Sequence, residues 1–281
     1  MRFGFHVSIA GGFTNVIERA NRLGCETVQI FTASNKQWKR TPLDPDVVAG
    51  FRASLKEAQL HPLTVHLFYL PNLATPDEEL LERSRQALSA ELGRSSILGA
   101  DFLVLHPGAF KNSNMDEGIS RVATSLNQAI SSATTKKVKI VVENTSGGGT
   151  RLGGSFDDLA RIIEGVGKKD SVGICLDTAH AFQAGYPLHT SKGLEETLAQ
   201  IDHLIGLEKL LLLHLNDSKT PLGSHNDRHW DIGKGQMGLE AFRRIINHPK
   251  LKHLPAVMET PSAPGGDVRN MAMVKKLREE G

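Results

Sequence analysis

Short apolar runs rich in β-branched residues alternate with longer amphipathic stretches along the whole chain. There are eight such runs, in chain order FGFHVS, TVQIF, LTVH, FLVLH, KIVVEN, VGICLD, LLLLHLN and AVMET. Between them, apolar residues recur at helical spacing in segments such as VIERANRLG, ELLERSRQALSAELGRSSILG and LEAFRRIINHP. This alternation is typical of repeated strand and helix units around a parallel sheet, and eight units predict a closed (β/α)8 TIM barrel, an α/β fold.

Length and composition favour one folding unit. The chain has 281 residues, which an α/β barrel can reach as one domain, and no linker or shift of composition divides it. We therefore predict a single TIM-barrel domain over residues 1–281. The content of 40% hydrophobic and 23% charged residues is that of an ordinary globular protein. The segment MRFGFHVSIAGG has neither the long apolar stretch nor the small-residue cleavage site of a signal peptide, and no run of eighteen apolar residues occurs. We expect a cytoplasmic monomer without membrane association.

Charge gives weak support for a polyanionic partner, since the net charge is only +2. The histidine content is more informative. Twelve histidines exceed what a chain of this length usually carries, and imidazole is the commonest protein ligand for metals. The two cysteines, Cys25 and Cys175, lie in apolar stretches and do not indicate disulfides.

The third to eighth predicted strands all end on residue types that bind metals. In a parallel barrel the carboxyl ends of the strands meet at one mouth, so these side chains would share one concave site. A lone histidine in a strand is often a structural core residue. That six successive strands should all end on metal-ligand types by chance is improbable. In chain order the six are His66, His106, Glu143, Asp177, His214 and Glu259.

Two local spacings extend the set to nine. The segment Asp177-Thr-Ala-His180 adds His180 within one turn, and Asp227-Arg228-His229 adds two more ligand types. A catalytic zinc takes about three protein ligands and keeps an open position, so nine ligands suit three ions. His6 lies within a strand without a partner spacing, and we interpret it as structural. The segment from Gly233 to Gly238 matches GxGxxG but follows no strand, so a dinucleotide site is not indicated.

The sequence resembles the endonuclease IV family of apurinic/apyrimidinic (AP) endonucleases, which are DNA repair enzymes. The motifs that carry the resemblance occur in the family's order over nearly the whole chain. They are GFHVSIAGG, FTASNKQW, LVLHPG, VVENTSGGG, CLDTAHAFQAGY, LHLNDSKTPLGSHNDRH, WDIGKGQMG and VMETP. The resemblance implies a barrel with three zinc ions that cuts duplex DNA at abasic sites.

The resemblance also implies how the nine ligands divide. His66, His106 and Glu143 would hold one metal, and Glu143 would bridge to a second that is completed by Asp177, His214 and Glu259. The third would be bound by His180, Asp227 and His229. Manganese is a possible substitute for zinc, since imidazole and carboxylate bind both. Ala179 stands where the family commonly has a thiol, but that position is not a ligand.

The expected reaction is hydrolysis of the phosphodiester 5′ to the abasic site, leaving a 3′-hydroxyl and a 5′-deoxyribose phosphate. We expect a metal-bound hydroxide as nucleophile, with Glu143 and Glu259 as the catalytic carboxylates. The expected partner is double-stranded DNA containing abasic sites, in the cytoplasm, or in the nucleus or mitochondrion of a eukaryote.

Contacts with DNA are expected from two segments. The family has a basic residue, often Arg, at Lys36, with a Tyr and a Leu at Tyr69 and Leu70, and these side chains would fill the gap left by the extruded nucleotide. Gln37 and Trp38 are further candidates, although Trp38 and Leu70 could instead serve packing. Lysine keeps the charge but cannot stack as guanidinium does, so the wedge at Lys36 could differ in detail.

Two alternatives stay open. A sugar isomerase or epimerase on the related barrel would need only Glu143, Asp177, His214 and Glu259 for one metal. The other five ligands would then have no purpose, and a keto-sugar assay would discriminate. A non-catalytic binder of damaged DNA is the other alternative, but it would have no need of an intact ligand set.

Overall fold

The computed structural model describes residues 1–133, 137–261 and 265–281. Within these ranges the chain forms ten strands. Eight are barrel strands of four to six residues, and two are two-residue strands that form a hairpin above the barrel. In chain order they are β1 (Arg2–His6), β2 (Thr27–Ile30), β3 (Leu63–His66), β4 (Phe102–Leu105), β5 (Lys139–Glu143), β6 (Val172–Asp177), β7 (Leu210–His214), β8 (Asp217–Ser218), β9 (His229–Trp230) and β10 (Pro255–Met258).

Nine α-helices are described in the same ranges, and most of them pack around the outside of the barrel. They are α1 (Phe13–Leu23), α2 (Pro45–Glu57), α3 (Glu78–Leu98), α4 (Met115–Ser132), α5 (Phe156–Glu164), α6 (Thr178–Ala184), α7 (Ser191–Leu204), α8 (Leu239–Asn247) and α9 (Gly266–Glu279). Across the described chain, no helix has the length and apolar character needed to cross a membrane.

The predicted barrel is confirmed. The strands β1 to β7 and β10 are parallel, each pairs with its neighbour in the chain, and β1 pairs with β10 to close the ring. All eight apolar runs identified in the sequence lie on these strands. The hairpin of β8 and β9 and the seven-residue helix α6 were not predicted, because segments this short show no periodicity.

Side-chain caps begin five of the outer helices. Each capping oxygen accepts a hydrogen bond from a backbone amide in the first helical turn, which satisfies one of the donors that a helix start leaves free. Asp44 caps α2, where Pro45 also fixes the first backbone angle. The caps of α3, α4, α5 and α7 are Asp77, Asn114, Ser155 and Thr190.

A small apolar cluster fills the inside of the barrel, apart from the larger core between strands and helices. Its members come from five successive strands of the barrel and have no exposed surface: Val104, Val141, Cys175, Leu212 and Val257. Since side chains alternate along a strand, the residue two positions further faces the same interior. The interior cluster therefore sets which residue of each strand reaches the mouth.

At the opposite end of the barrel, the last turn of α9 is bonded to the start of the chain. Arg278 donates from Nη1 to both oxygens of Glu26, at 3.1 and 2.9 Å, and to the carbonyl oxygen of Met1 at 2.9 Å. Glu26 also accepts from the backbone amide of Phe3 at 3.0 Å. Partial burial acts to raise the pKa of Glu26, but Arg278 and the Phe3 amide outweigh it and the pKa is lowered. The last helix is thus tied to the first strand.

Replacing Arg278 with Ala should lower the free energy of unfolding by about 1 kcal/mol, because a partly exposed ion pair with good hydrogen bonds is lost. The lowered pKa of Glu26 stabilises the fold at neutral pH, and this contribution disappears as the pH falls through the folded-state value. The deficit of Arg278→Ala relative to the native protein, measured by urea unfolding, should therefore shrink below about pH 4. Lys276→Ala, on the same helix but exposed, is the control. If Arg278→Ala lowered the free energy of unfolding equally at neutral pH and below about pH 4, the role of the Glu26–Arg278 pair would be contradicted.

Candidate metal centre

A ring of polar side chains lines the mouth of the barrel, one from each barrel strand. Each of the five interior residues of β4 to β7 and β10 is followed two positions later by a predicted ligand, as Val141 is by Glu143. The same alternation continues on β1 to β3, where Gly4, Thr27 and Thr64 precede the polar residues. The ring comprises His6, Gln29, His66, His106, Glu143, Asp177, His214 and Glu259.

Glu143 lies at the centre of the ring and has no exposed surface. Its Oε2 atom lies 3.3 Å from Nε2 of His66 and 3.2 Å from Nε2 of His106. Its Oε1 atom lies 3.1 Å from Nδ1 of His214 and 3.2 Å from Nδ1 of His180. The two oxygens of this carboxylate therefore face two different pairs of imidazoles.

Three groups of side chains bring potential ligand atoms within 4.8 Å of one another. Glu143 belongs to two of the groups, and Asp177 also belongs to two. Eight of the nine predicted ligands are included. The groups are His66 with His106 and Glu143; Glu143 with Asp177, His214 and Glu259; and Asp177 with His180 and His229.

The ninth predicted ligand, Asp227, lies beside the third group. Its Oδ1 atom is 3.3 Å from Nε2 of His180 and 3.6 Å from Nε2 of His229. The Nε2 atoms of His180 and His229 are themselves 3.2 Å apart. Asp177 caps helix α6 by accepting from the backbone amide of His180 at 2.8 Å, and strand β9 holds His229. The short helix and the hairpin thus complete this group.

The ring nitrogen that faces away from the centre is paired in three of these histidines. Each such nitrogen lies within hydrogen-bond distance of a carbonyl oxygen, which can only accept, so the nitrogen carries the proton. The nitrogen facing the centre is then left with a lone pair, as a metal ligand requires. The pairs are His66 Nδ1 with Leu67 O at 2.6 Å, His229 Nδ1 with Glu259 O at 3.1 Å, and His214 Nε2 with Gln29 Oε1 at 2.9 Å. In His180, Nδ1 lies near both Asn144 O and Oε1 of Glu143, and Nε2 faces Asp227.

Two buried asparagines orient the carboxylates. Asn216 donates from Nδ2 to Oδ2 of Asp177 at 2.7 Å and accepts from the backbone amide of Glu259 at 2.7 Å. Asn144 accepts from the backbone amide of Asp177 at 2.7 Å and donates to its carbonyl oxygen at 3.1 Å. The ends of β5, β6, β7 and β10 are thereby fixed relative to one another.

The electrostatics of the protein alone are those of tightly coupled acids and bases. Burial acts to raise the pKa of Glu143, but His214, His106 and His180 outweigh it and hold the pKa well below its usual range. Burial acts to lower the pKa of His180, but Asp177, Asp227 and Glu143 raise it well above its usual range. The raised pKa of His180 favours its protonated form in the absence of metal, and a metal ion would have to displace that proton.

The donor set fits divalent cations. Glu143 Oε1 and His214 Nδ1 are buried but make no hydrogen bond in the described part of the chain. Unpaired buried polar atoms are costly, and a cation shared by imidazole nitrogen and carboxylate oxygen would satisfy both. Histidine with carboxylate is a ligand set that zinc accepts.

The chain is similar over its full length to known proteins. Residues 17–277 match the family of xylose isomerase-like TIM barrels. A probable endonuclease 4 of Methanoculleus marisnigri is 42% identical over 275 residues, which is 98% of each chain. A probable endonuclease 4 of Halothermothrix orenii is 39% identical over 280 residues, which is 100% of each chain. The chain belongs to the endonuclease IV family of AP endonucleases.

Solved structures agree with this assignment. Endonuclease IV of Thermus thermophilus superposes with a TM-score of 0.90 at 33% identity over the whole of both chains. A D-tagatose 3-epimerase-like protein superposes with a TM-score of 0.77 at 19% identity, covering 100% of this chain and 98% of the other. At that identity the second likeness shows a common fold alone.

The candidate DNA contacts of this endonuclease IV family member lie beside the metal centre but differ in exposure. Lys36 and Gln37 are exposed on the loop after β2. Trp38 is half-buried and packs edge-on against Phe68 with ring centroids 5.6 Å apart. The exposed fractions of Tyr69 and Leu70 are 58% and 37%, respectively.

Sequence reasoning missed two members of the ring. Gln29 is buried and connects two ligands, since its Nε2 donates to Oε1 of Glu259 at 2.7 Å and its Oε1 accepts from His214. His6 belongs to none of the three groups, but its Nδ1 lies 3.1 Å from Oε1 of Glu259. The alternation of side chains on β1 and β2 was the signal that could have identified both residues.

Replacing Gln29 with Leu should weaken metal binding by the group of Glu143, Asp177, His214 and Glu259. Leucine keeps the volume but removes the amide that orients His214 and Glu259, and such supporting contacts are worth about 10- to 100-fold in metal affinity. Zinc content after dialysis against a competing chelator measures the effect. Gln128→Leu, exposed on α4, is the matched control. Equal zinc retention in both variants would contradict the role of Gln29.

Proposed function

We propose that the protein is a zinc-dependent AP endonuclease that hydrolyses the phosphodiester 5′ to an abasic site in duplex DNA. The products would be a 3′-hydroxyl and a 5′-deoxyribose phosphate. One observation carries the proposal. Three ligand groups lie together at the barrel mouth, Glu143 links the first to the second and Asp177 links the second to the third, and the chain belongs to the endonuclease IV family.

Three zinc ions would be held by the three groups. His66, His106 and Glu143 would hold the first, and Glu143 would bridge to the second. The second would be completed by Asp177, His214 and Glu259, and the third by His180, Asp227 and His229. When bound, the ions supply a water of lowered pKa and positive charge for an in-line displacement.

The chain's own residues set the charge of the site. Three divalent ions would exceed the four carboxylates Glu143, Asp177, Asp227 and Glu259 by two positive charges, which suits a phosphodiester. A cleft of about 350 Å³ beside His66 and His106 is also lined by the basic residues Lys111 and Arg151. Neither basic residue is paired with a carboxylate in the described part of the chain. This cleft would receive the strand next to the scissile bond.

Tyr69 and Leu70 would support extrusion of the abasic nucleotide. Large apolar side chains exposed at a mouth otherwise built from polar groups are costly to hydrate, and both line the same cleft. An abasic site has lost the base pair that resists extrusion, so its sugar enters a pocket at low cost. Lys36 and Gln37, on the neighbouring loop, would contact the strands.

A sugar epimerase would use the second ligand group alone. The first and third groups bring His66, His106, His180 and His229 to the same mouth, where a single-metal enzyme has no use for them. These residues favour the nuclease.

Purified protein should cut a duplex at a synthetic abasic site and contain about three zinc atoms per chain. Glu259→Gln should reduce cleavage by at least about a hundredfold, because a neutral amide replaces a ligand carboxylate of similar shape. Cleavage is followed on a labelled duplex, with circular dichroism to check the fold. Glu143→Gln should behave in the same way.

Glu279→Gln, which is exposed on α9, is the matched control and should cut like the native protein. The proposal fails if the native protein holds one metal and leaves the abasic duplex intact. Epimerisation of a keto-sugar by the same preparation would support the alternative.

Leu70→Ala should raise KM for abasic duplex by about three- to tenfold with a smaller change in kcat, since an apolar contact with the opened duplex is lost. Steady-state kinetics at constant salt measure both. Ile97→Ala removes a comparably exposed side chain from α3, away from the mouth, and serves as control. A KM equal to that of the control would show that Leu70 does not contact DNA.

A further inference from the structure

The two segments that face DNA in the proposed function lack regular structure. Residues 31–44, here called the first loop, connect β2 to α2 and carry Lys36 and Gln37. Residues 67–77, here called the second loop, connect β3 to α3 and carry Tyr69 and Leu70. A loop that lacks the regular backbone hydrogen bonds of a helix or a sheet depends on side-chain contacts to hold one conformation.

The first loop is anchored to a buried carboxylate outside the metal centre. Glu91 lies in the middle of α3 and is 1% exposed. Its Oε1 accepts from Nε of Arg40 at 2.6 Å, and its Oε2 accepts from Oγ1 of Thr32 at 2.7 Å. Arg94, one turn further along α3, donates to the carbonyl oxygens of Thr32 and Thr41 at 2.9 and 2.7 Å. Both ends of the loop are therefore fixed to one helix.

Arg40 also organises the middle of the first loop. Its Nη1 atom donates to the carbonyl oxygen of Ser34 at 2.9 Å and to that of Gln37 at 2.6 Å. These acceptors flank Lys36 on either side. The guanidinium thus determines the backbone path of the segment that presents Lys36 and Gln37.

The same guanidinium contacts the second loop. Its central carbon lies 3.7 Å from the centroid of the Phe68 ring. Phe68 is 3% exposed and precedes Tyr69 directly, and Trp38 of the first loop packs edge-on against it. Arg83 of α3 covers Trp38 at 4.2 Å. One cation therefore contacts both loops at once.

We propose that Arg40, held by Glu91, is a positioning residue that fixes the two DNA-facing loops relative to each other and to the metal centre. This role rests on the proposed function. Arg40 is not a catalytic residue, because its side chain is largely buried behind the loops and contacts no member of the ligand groups.

The chemistry of the pair supports positioning over simple stability. A buried ion pair costs desolvation that a well-packed apolar pair would avoid, so its presence is weak evidence for a stabilising role. The guanidinium group of Arg40 makes three kinds of contact: Nε donates to Glu91, Nη1 donates to two carbonyl oxygens, and the flat face of the group packs on the Phe68 ring. Lysine has the same charge but lacks the several N–H donors in fixed directions and the planar surface.

The test compares Arg40→Lys, Arg40→Met and Glu91→Gln with the native holoenzyme on an abasic duplex. We expect KM to rise by about tenfold or more, because part of the binding free energy must then be used to order the two loops that contact DNA. We expect kcat at saturating DNA to stay within about threefold, since the ligand groups are untouched. Zinc content should equal that of the native protein.

Arg278→Ala is the control, since it breaks another hydrogen-bonded Arg–Glu pair, more exposed than that of Arg40, at the opposite end of the barrel. A purely structural role predicts that the Arg40 and Glu91 variants lose melting temperature as this control does while keeping the native KM, and that result would overturn the proposal. The native enzyme is assayed first. If it does not cut the duplex, the proposed function fails independently of Arg40.

A second measurement does not depend on activity. Hydrogen exchange of the DNA-free native protein and of Arg40→Lys should differ in residues 31–44 and 67–77, with exchange at least about tenfold faster in the variant. The strands of the barrel should exchange equally in both proteins. Equal exchange in the two loops would also overturn the positioning role.

Discussion

The buried carboxylate of Glu143 is the interaction on which the metal centre depends. It has no exposed surface, yet four imidazoles lie within 3.3 Å of its two oxygens. A charge in such a place is tolerated only with compensation of matching geometry. Oε1 makes no hydrogen bond to any residue that the structure describes, so these protein groups leave the compensation incomplete. The surrounding histidines, carboxylates and asparagines are arranged around this deficit, and divalent cations are the chemistry that completes it.

The fold and most of the ligand set could be predicted from the sequence for one reason. A strand repeats every two residues, so once apolar interior residues such as Val141 and Leu212 are placed, Glu143 and His214 must face the same mouth. The same rule applied to β1 and β2 identifies His6 and Gln29. His6 was interpreted as structural because it lies within the run FGFHVS and not at its end, and Gln29 was missed because glutamine is not an expected zinc ligand.

What could not be predicted lies in the loops. The contact between Arg40 and Glu91 joins residues 51 positions apart, and no spacing or motif indicates it. Trp38 was expected to reach DNA or to pack, and its contact with Phe68 depends on how two irregular segments meet. The hairpin that presents His229 consists of two-residue strands, too short for any periodic pattern. Loop conformation is decided by side-chain contacts distant in sequence, whereas strand orientation is decided locally.

The two parts of the site therefore rest on different physical supports. The ligand ring stands on a closed barrel, in which every strand is hydrogen-bonded to a neighbour on both sides. The two loops proposed to face DNA are held by side-chain contacts, which include the buried ion pair of Arg40 and Glu91, the Phe68 ring that Arg40 covers, and Arg94. Chemistry that needs ligand atoms held to within fractions of an ångström is thus assigned to the rigid element. In the proposed function, contact with the opened duplex would fall to these loops, whose conformation we propose that Arg40 and Glu91 hold.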